Sequence, residues 1–159
     1  MRSMELTEDM QRVVREQSLG FVATIRPDGT PALSPKGTTS AWDAGHLVFL
    51  HLHSPHTVDN LRRNPHVEIN VVDPIARKGY RFAGLGRMVD SGPEYEQILD
   101  WFKAQRGVDY RDRAKAAVLV RVTRAEALVS PAYDDGSTEA EVSARWRQRH
   151  LHLAATDTR

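Results

Sequence analysis

The chain has 159 residues, 40% of them hydrophobic, and a formal net charge of +1 from 22 Lys and Arg against 21 Asp and Glu. This near-balance excludes a whole-protein field that would hold nucleic acid or an acidic membrane, so any basic site must be local. Cysteine is absent, which excludes disulfides, thiolate metal sites and cysteine nucleophiles. No apolar run reaches the roughly 20 residues of a transmembrane helix, and no signal core is present. We therefore expect one soluble, cytoplasmic domain over residues 1–159.

The hydrophobic pattern predicts a mainly β protein with helices between the strands. Period-two alternation and turn residues indicate six strands, at 19–25, 31–34, 46–52, 67–73, 79–90 and 116–130. Capping residues predict helices that begin after Thr7, Ser54 and Ser91, with a capping box from Ser91 to Glu94, and a charged helix is predicted from Thr138. The strands follow one another without regular βα alternation, so we predict a small antiparallel barrel with an amino-terminal helix and a carboxyl-terminal helical tail.

The stretch HLHSPHTVDNLRRNP, residues 51–65, holds three of the seven histidines. On a strand, His51 and His53 point to the same side, and His56 follows one helical turn later. Imidazoles bind zinc, but no adjacent acid completes a known motif and no HEXXH sequence is present. We predict that these histidines bind no metal and instead line a polar pocket or face solvent.

The same stretch predicts a helix that begins at Ser54. Its first turn leaves free backbone N–H groups near His56 and Thr57, and Asn60 lies one turn further on the same face. Such a helix start can seat a phosphate, because its N–H groups and dipole favour an anion. An ordinary capped helix is the alternative.

Two other clusters carry charge beside predicted strands. Lys36, in Ser34-Pro-Lys-Gly37, could lie beside a phosphate or an acceptor-rich ring, or could be a lysine at a loop edge. In Arg77-Lys-Gly-Tyr-Arg81 the side chains of Lys78 and Arg81 belong to opposite faces. Arg81 should be partly buried, and its anionic partner could be a ligand or a nearby acid. Gly84-Leu-Gly86 lies within a strand, so it predicts a barrel bend rather than a dinucleotide loop.

Taken together, these segments resemble the pyridoxamine 5′-phosphate oxidase-like family of FMN-binding split barrels. The resemblance covers residues from about 17 to 130. Its motifs are Pro31-Ala-Leu-Ser-Pro-Lys-Gly37, then Phe49-Leu-His51 through Asn60-Leu-Arg62 to Asn64-Pro65, and finally 77–84. It implies a six-stranded antiparallel split barrel and a homodimer with FMN sites at the interface.

The resemblance also implies site residues. Leu33, Ser34 and Lys36 match strand positions that meet the flavin ring and ribityl chain, and His51 matches a position facing the cofactor. His56 and Thr57 match positions that hold the phosphate. These two stand where many relatives have Arg-Lys, so Asn60 and Lys36 are expected to take more of the anchoring. Lys78 and Arg81 match positions near the cofactor.

The resemblance implies an FMN-dependent oxidoreductase that uses a small-molecule substrate or a nicotinamide reductant, without nucleic acid or membrane partners. It assigns no catalytic residue. The tail lacks the family's Arg-His substrate clamp, so the resemblance does not imply pyridoxal phosphate synthesis. An F420-dependent reductase and a non-enzymatic flavin- or haem-binding carrier or sensor are the alternatives.

Overall fold

A computed structural model describes residues 4–156. Within these residues the protein forms one antiparallel sheet of seven strands, in the spatial order β2-β1-β5-β6-β7-β4-β3. The strands are β1 (Gly20–Ile25), β2 (Pro31–Lys36), β3 (Ser40–Asp43), β4 (His46–His51), β5 (His66–Asp73), β6 (Lys78–Val89) and β7 (Ala116–Val129). The helices are α1 (Glu8–Gln17), α2 (Pro55–Arg63), α3 (Gly92–Arg106) and α4 (Glu139–Thr156), with a 3-10 turn at Pro131–Tyr133.

The six predicted strands are confirmed, and the seventh is β3. Its four residues pair with β4 across the Asp43–Gly45 turn, with an irregular register between Ala41 and Asp43. Strands β2 and β3 are the two sheet edges, and they are joined by residues 37–39 alone. The sheet therefore curls back on itself into a split barrel. The predicted bend also occurs, because β6 shifts register between Ala83 and Gly84.

The barrel interior is closed by side chains from two helices. Met10, Val13 and Val14 of α1 and Leu61 of α2 join the buried strand residues in one apolar core. A second core lies where α3 packs on the sheet, through Ile98, Leu99 and Phe102. Apolar residues recur at helical spacing in α1 and α3, and that spacing places them on one face of each helix.

The apolar alternation of β1 lies on the outer surface of the barrel. Phe21 and Ile25 are 41% and 37% exposed, whereas Val22 and Thr24 point inward and are buried. Leu33, opposite Ala23 on β2, is 68% exposed on the same outer face. The alternation of apolar residues thus predicts strand β1 correctly, but the side chains that define this alternation face away from the core.

Two of the predicted helix caps do not form. The hydroxyls of Ser54 and Ser91 make no capping hydrogen bond. Glu94 instead pairs with Arg87 of β6 at 2.7 Å, which removes the carboxylate that a capping box needs. Thr138 does form such a box: its backbone N–H donates to Glu141 at 2.7 Å, and its hydroxyl accepts the Glu141 N–H.

Helix α4 leaves the barrel surface after its first turns. Within α4 only Val142 is buried, and the guanidinium of Arg77 lies 4.1 Å from the Trp146 ring centre. No helix within residues 4–156 is long and apolar enough to cross a membrane.

Candidate functional site

A buried lysine lies where the end of β2 meets the start of α2. Lys36 is only 5% exposed, and its ammonium donates to Ser34 Oγ at 2.7 Å and to Ser54 Oγ. No carboxylate within residues 4–156 pairs with it. Burial lowers the pKa of Lys36 below its ordinary value of 10.5. A buried ammonium that contacts only neutral oxygens lacks the anion that normally offsets its desolvation.

His51 forms the wall of this site at the end of β4. It is buried, and its Nδ1 accepts a long hydrogen bond of 3.4 Å from the backbone N–H of Ser54. Burial is the main cause that lowers its pKa below 6.5, and the charges of Lys115 and Lys36 add to the effect. His51 is therefore neutral at pH 7. Because Nδ1 is an acceptor here, the ring proton lies on Nε2.

The first turn of α2 forms the third side of the site around Lys36, after β2 and the His51 wall. Thr57 is buried and His56 is exposed. Pro55 has no N–H, and the N–H of Val58 bonds to Ser54 O, so the backbone donors of His56 and Thr57 remain free at the helix start. Such donors favour an anion at this end of the helix.

Asn60 is directed into the protein rather than toward the helix start. It is 4% exposed, and its side-chain amide donates to the Thr24 hydroxyl at 3.0 Å. This contact joins α2 to β1. The sequence predicts Asn60 on the face of Thr57, and both side chains are buried, but one of the two Asn60 N–H donors is already used inside the barrel wall.

Two predicted residues lie on the outer sheet face. Leu33 is exposed there, and Arg81 lies on the same side of the sheet, opposite Asn70 of β5. The Arg81 Nε reaches Asn70 Oδ1 at 3.4 Å and Glu68 at 4.0 Å, with 40% of the side chain exposed. Arg81 is thus half-buried as predicted, and its ion pair with Glu68 is long, at 4.0 Å.

A groove of about 660 Å³ opens on this outer face. Its lining is mainly apolar and includes Ala23, Ile25, Pro31 and Leu85. It runs across β1, β5 and β6, and its volume lies within the range of small-molecule sites.

Lys78 lies apart from the Lys36 cluster. Its ammonium pairs with Glu139 of α4 at 2.8 Å and lies 4.4 Å from the Tyr133 ring centre. The structure therefore joins Lys78 to the carboxyl-terminal helix, and it does not bring this residue to Ser34, His51 or Thr57.

The loop that follows Lys36 is held by Arg106, the last residue of α3. The guanidinium donates to the carbonyls of Gly37 at 2.7 Å and Thr39 at 2.9 Å, and to Ser40 Oγ at 2.6 Å. Thr38 in the same loop accepts the N–H of Leu50. Sequence reasoning missed Arg106, because nothing in a helix-terminal arginine points to a loop 69 residues earlier. It also missed Ser54 as a partner of Lys36, having assigned Ser54 to the helix cap.

The donor set around Lys36 fits a phosphate-bearing cofactor. It offers one ammonium, the hydroxyls of Ser34, Ser54 and Thr57, and the free N–H groups at the start of α2, and no carboxylate of residues 4–156 pairs with the ammonium. These groups all donate hydrogen bonds, and a phosphate dianion accepts them all.

Comparison with known proteins agrees with this fold. The family model described as pyridoxamine 5′-phosphate oxidase matches residues 6–129. Group A Streptococcus HupZ is 30% identical with a TM-score of 0.68, and the match covers 79% of this chain and 95% of that chain. An F420 reductase is 26% identical with a TM-score of 0.60, covering 76% and 98% of the two chains.

A third solved structure shares the fold alone. It is an FMN-binding protein from Syntrophomonas wolfei subsp. wolfei, 10% identical with a TM-score of 0.62, covering 77% of this chain and 86% of that one. A search among curated proteins finds no match to the sequence. The family match spans more than half of the chain and includes β2, α2 and β6, so the protein belongs to the pyridoxamine 5′-phosphate oxidase family of split barrels.

Proposed function

We propose that this protein is an FMN-dependent oxidoreductase that holds the flavin phosphate between Lys36 and the start of α2. The observation that carries the proposal is the Lys36 ammonium, which is buried, contacts only hydroxyls and has no acidic partner within residues 4–156. A phosphate would supply the missing counter-charge and accept the surrounding donors.

Each residue of the Lys36 cluster has a distinct part in this proposal. Lys36 supplies the positive charge, and Ser34 and Ser54 hold its ammonium in place. Thr57 and the N–H groups of the α2 first turn donate to the phosphate, and neutral His51 donates from Nε2 at the pocket wall. When bound, the flavin supplies electron transfer, and the protein fixes its position and tunes its potential by the charge around it.

The outer sheet face supports a homodimer with the cofactor between two copies. Leu19, Phe21 and Leu33 expose apolar surface beside the 660 Å³ groove, and a second copy packed there would cover it. The predicted roles of Leu33 and Arg81 depend on this dimer, because both lie on that face. A role for Lys78 requires release of Glu139, so we leave it out of the proposed site.

An F420-dependent reductase is the second candidate. The relative named an F420 reductase is 26% identical over 98% of its length. That cofactor also carries a phosphate group, so the Lys36 cluster by itself fits both. The two cofactors differ in the ring and in the length of the anionic tail, which the groove must accommodate.

The test begins with the visible spectrum of the purified protein and mass analysis of any released molecule. FMN, or saturable binding of added FMN that exceeds the binding of F420, is the expected result. Tighter F420 binding would favour the second candidate, and a Soret band would favour haem. Oxidation of reduced nicotinamide by the flavin-loaded protein is expected. Stoichiometric flavin without turnover with any reductant would contradict the enzyme proposal and indicate a carrier or sensor.

A further inference from the structure

A second cavity lies between α1, β3 and α3, away from the hydroxyl cluster around Lys36. Its volume is about 490 Å³, which suits a small molecule. Its lining includes Gln11, Arg15, Trp42, Trp101, Gln105 and Arg106. The family resemblance assigns no role to any of these residues.

Two tryptophans form the apolar side of this cavity. Trp42 and Trp101 are both half-buried, with ring centres 5.6 Å apart and ring planes inclined at 60°. Trp101 is in turn braced by Phe102, whose ring lies 5.2 Å away at 89°. Aromatic side chains that are fixed by edge-to-face contacts offer rigid apolar surface to a planar ligand.

The charge of the cavity is positive. Among the residues that the structure describes, its lining holds two guanidinium groups and no acidic side chain. On α1, Asp9 and Glu16 both pair with Arg12, at 2.7 Å each. No carboxylate within residues 4–156 pairs with Arg15 or with Arg106, whose guanidinium donates to carbonyl and hydroxyl oxygens and lies 5.5 Å from the Phe102 ring centre. The cavity therefore combines aromatic walls with cations that lack a counter-ion.

We propose that this cavity binds a small aromatic carboxylate, with its ring against Trp42 and Trp101 and its carboxylate on Arg15. A planar guanidinium matches a carboxylate through two parallel hydrogen bonds. Gln11 and Gln105 supply further amide donors at the rim. The site differs from the proposed flavin site in its residues and in its chemistry, and Arg106 links the two because it also holds the loop after Lys36.

Tryptophan side-chain N–H signals in a two-dimensional NMR spectrum report on this site directly, because the chain has only three tryptophans. The purified protein is titrated with benzoate, with benzamide, which keeps the ring without the charge, and with cyclohexanecarboxylate, which keeps the charge without the aromatic ring. We expect benzoate to shift the Trp42 and Trp101 signals saturably and to leave Trp146 unchanged. Benzamide and cyclohexanecarboxylate should each bind at least about tenfold more weakly.

The matched variants are Arg15→Gln and Arg147→Gln, both exposed helix positions that lack an acidic partner within residues 4–156. Arg15→Gln should weaken benzoate binding about tenfold, and Arg147→Gln should leave it unchanged. Three results would each overturn the proposal: no saturable shift of Trp42 and Trp101, equal binding of benzoate and benzamide, or wild-type affinity in a folded Arg15→Gln protein. Flavin affinity is measured on the same samples, so a failure of the proposed flavin site and a failure of the benzoate site are told apart.

Discussion

Lys36 and Lys78 are both predicted from the sequence to lie near a cofactor, yet their surroundings in the structure are opposite. Lys36 is buried, and within the described part of the chain its ammonium hydrogen-bonds only to hydroxyls. Lys78 is half-buried, pairs with Glu139 and lies over the Tyr133 ring. One lysine is buried without a counter-ion, whereas the other already has its partners within the chain.

We infer from this difference that Lys36 is a binding group and Lys78 a structural one. An ion pair that remains accessible to solvent, such as Lys78–Glu139 with 39% and 61% of the side chains exposed, contributes little to stability and needs no ligand. A buried cation without an anion lowers the stability of the cofactor-free protein, and such an arrangement is typical of a ligand site. By the same reasoning we assign Asn60, like Lys78, a structural role, because its amide already donates to Thr24.

The largest expected effect is on flavin affinity. Lys36→Met should weaken FMN binding by about 10- to 100-fold, because it removes a charge-assisted contact to the phosphate. Lys78→Met should change the affinity by less than about twofold, because a surface pair outside the site is lost. Flavin fluorescence titration of the two variants measures both values. Equal losses in both would remove the distinction between the two lysines.

Asn60 offers a test of the structural side of the comparison. Asn60→Ala should lower the free energy of unfolding by about 1–2 kcal/mol, because the buried Thr24 hydroxyl loses its donor. Urea denaturation measures this effect, and a cycle with Thr24→Ala should show coupling of about 1 kcal/mol. A variant of unchanged stability that loses FMN affinity more than tenfold would instead assign Asn60 to the cofactor.

The substitution Lys36→Met should affect the stability of the cofactor-free protein and its FMN affinity in opposite directions. Lys36→Met should raise the free energy of unfolding by about 1 kcal/mol at neutral pH, because the buried charge is removed. The lowered pKa means that folded Lys36 binds fewer protons than unfolded Lys36, so wild-type stability rises with pH from that pKa up to 10.5. The gap between variant and wild type should therefore narrow as the pH approaches 10.5. Denaturation of both proteins across this range, with Lys103→Met as an exposed control, measures the gap; a less stable Lys36→Met protein would contradict the account.

The smallest effect concerns His51. Its pKa should lie below 6.5 in the cofactor-free protein because of burial first and of the Lys115 and Lys36 charges second. Lys36→Met should raise this pKa, since one of those charges is removed, and bound FMN should raise it further. NMR titration of the imidazole Cε1 proton measures the change. An unaltered pKa in Lys36→Met would place the Lys36 charge too far from His51 to form one site.

Much of the fold follows from the sequence, because period-two alternation and turn residues locate six of the seven strands. Strand β3 is missed because Ser40–Asp43 is short and shows no apolar alternation. The capping box at Ser91 is predicted wrongly because a local motif does not reveal that Arg87 on β6 competes for Glu94.

The candidate site is predictable only in part. The sequence places Lys36 and the α2 start on adjoining segments, but the contact between Lys36 and Ser54 spans 18 residues and depends on how the sheet curls. Alternation alone shows that Leu33 and Lys36 face opposite sides of β2, so one chain cannot direct both to the same pocket. The partners of Lys78 and Asn60 lie far away in sequence, and only the tertiary structure reveals them.

The central claim is that Lys36 is the cation that holds a cofactor phosphate. The most direct test compares the dissociation constants of FMN and riboflavin, which differ only by the phosphate, for wild-type protein and for Lys36→Met. Wild type should prefer FMN by at least about tenfold, and the variant should lose most of that preference through weaker FMN binding while riboflavin affinity stays the same. An equal preference for FMN in both proteins would contradict the account.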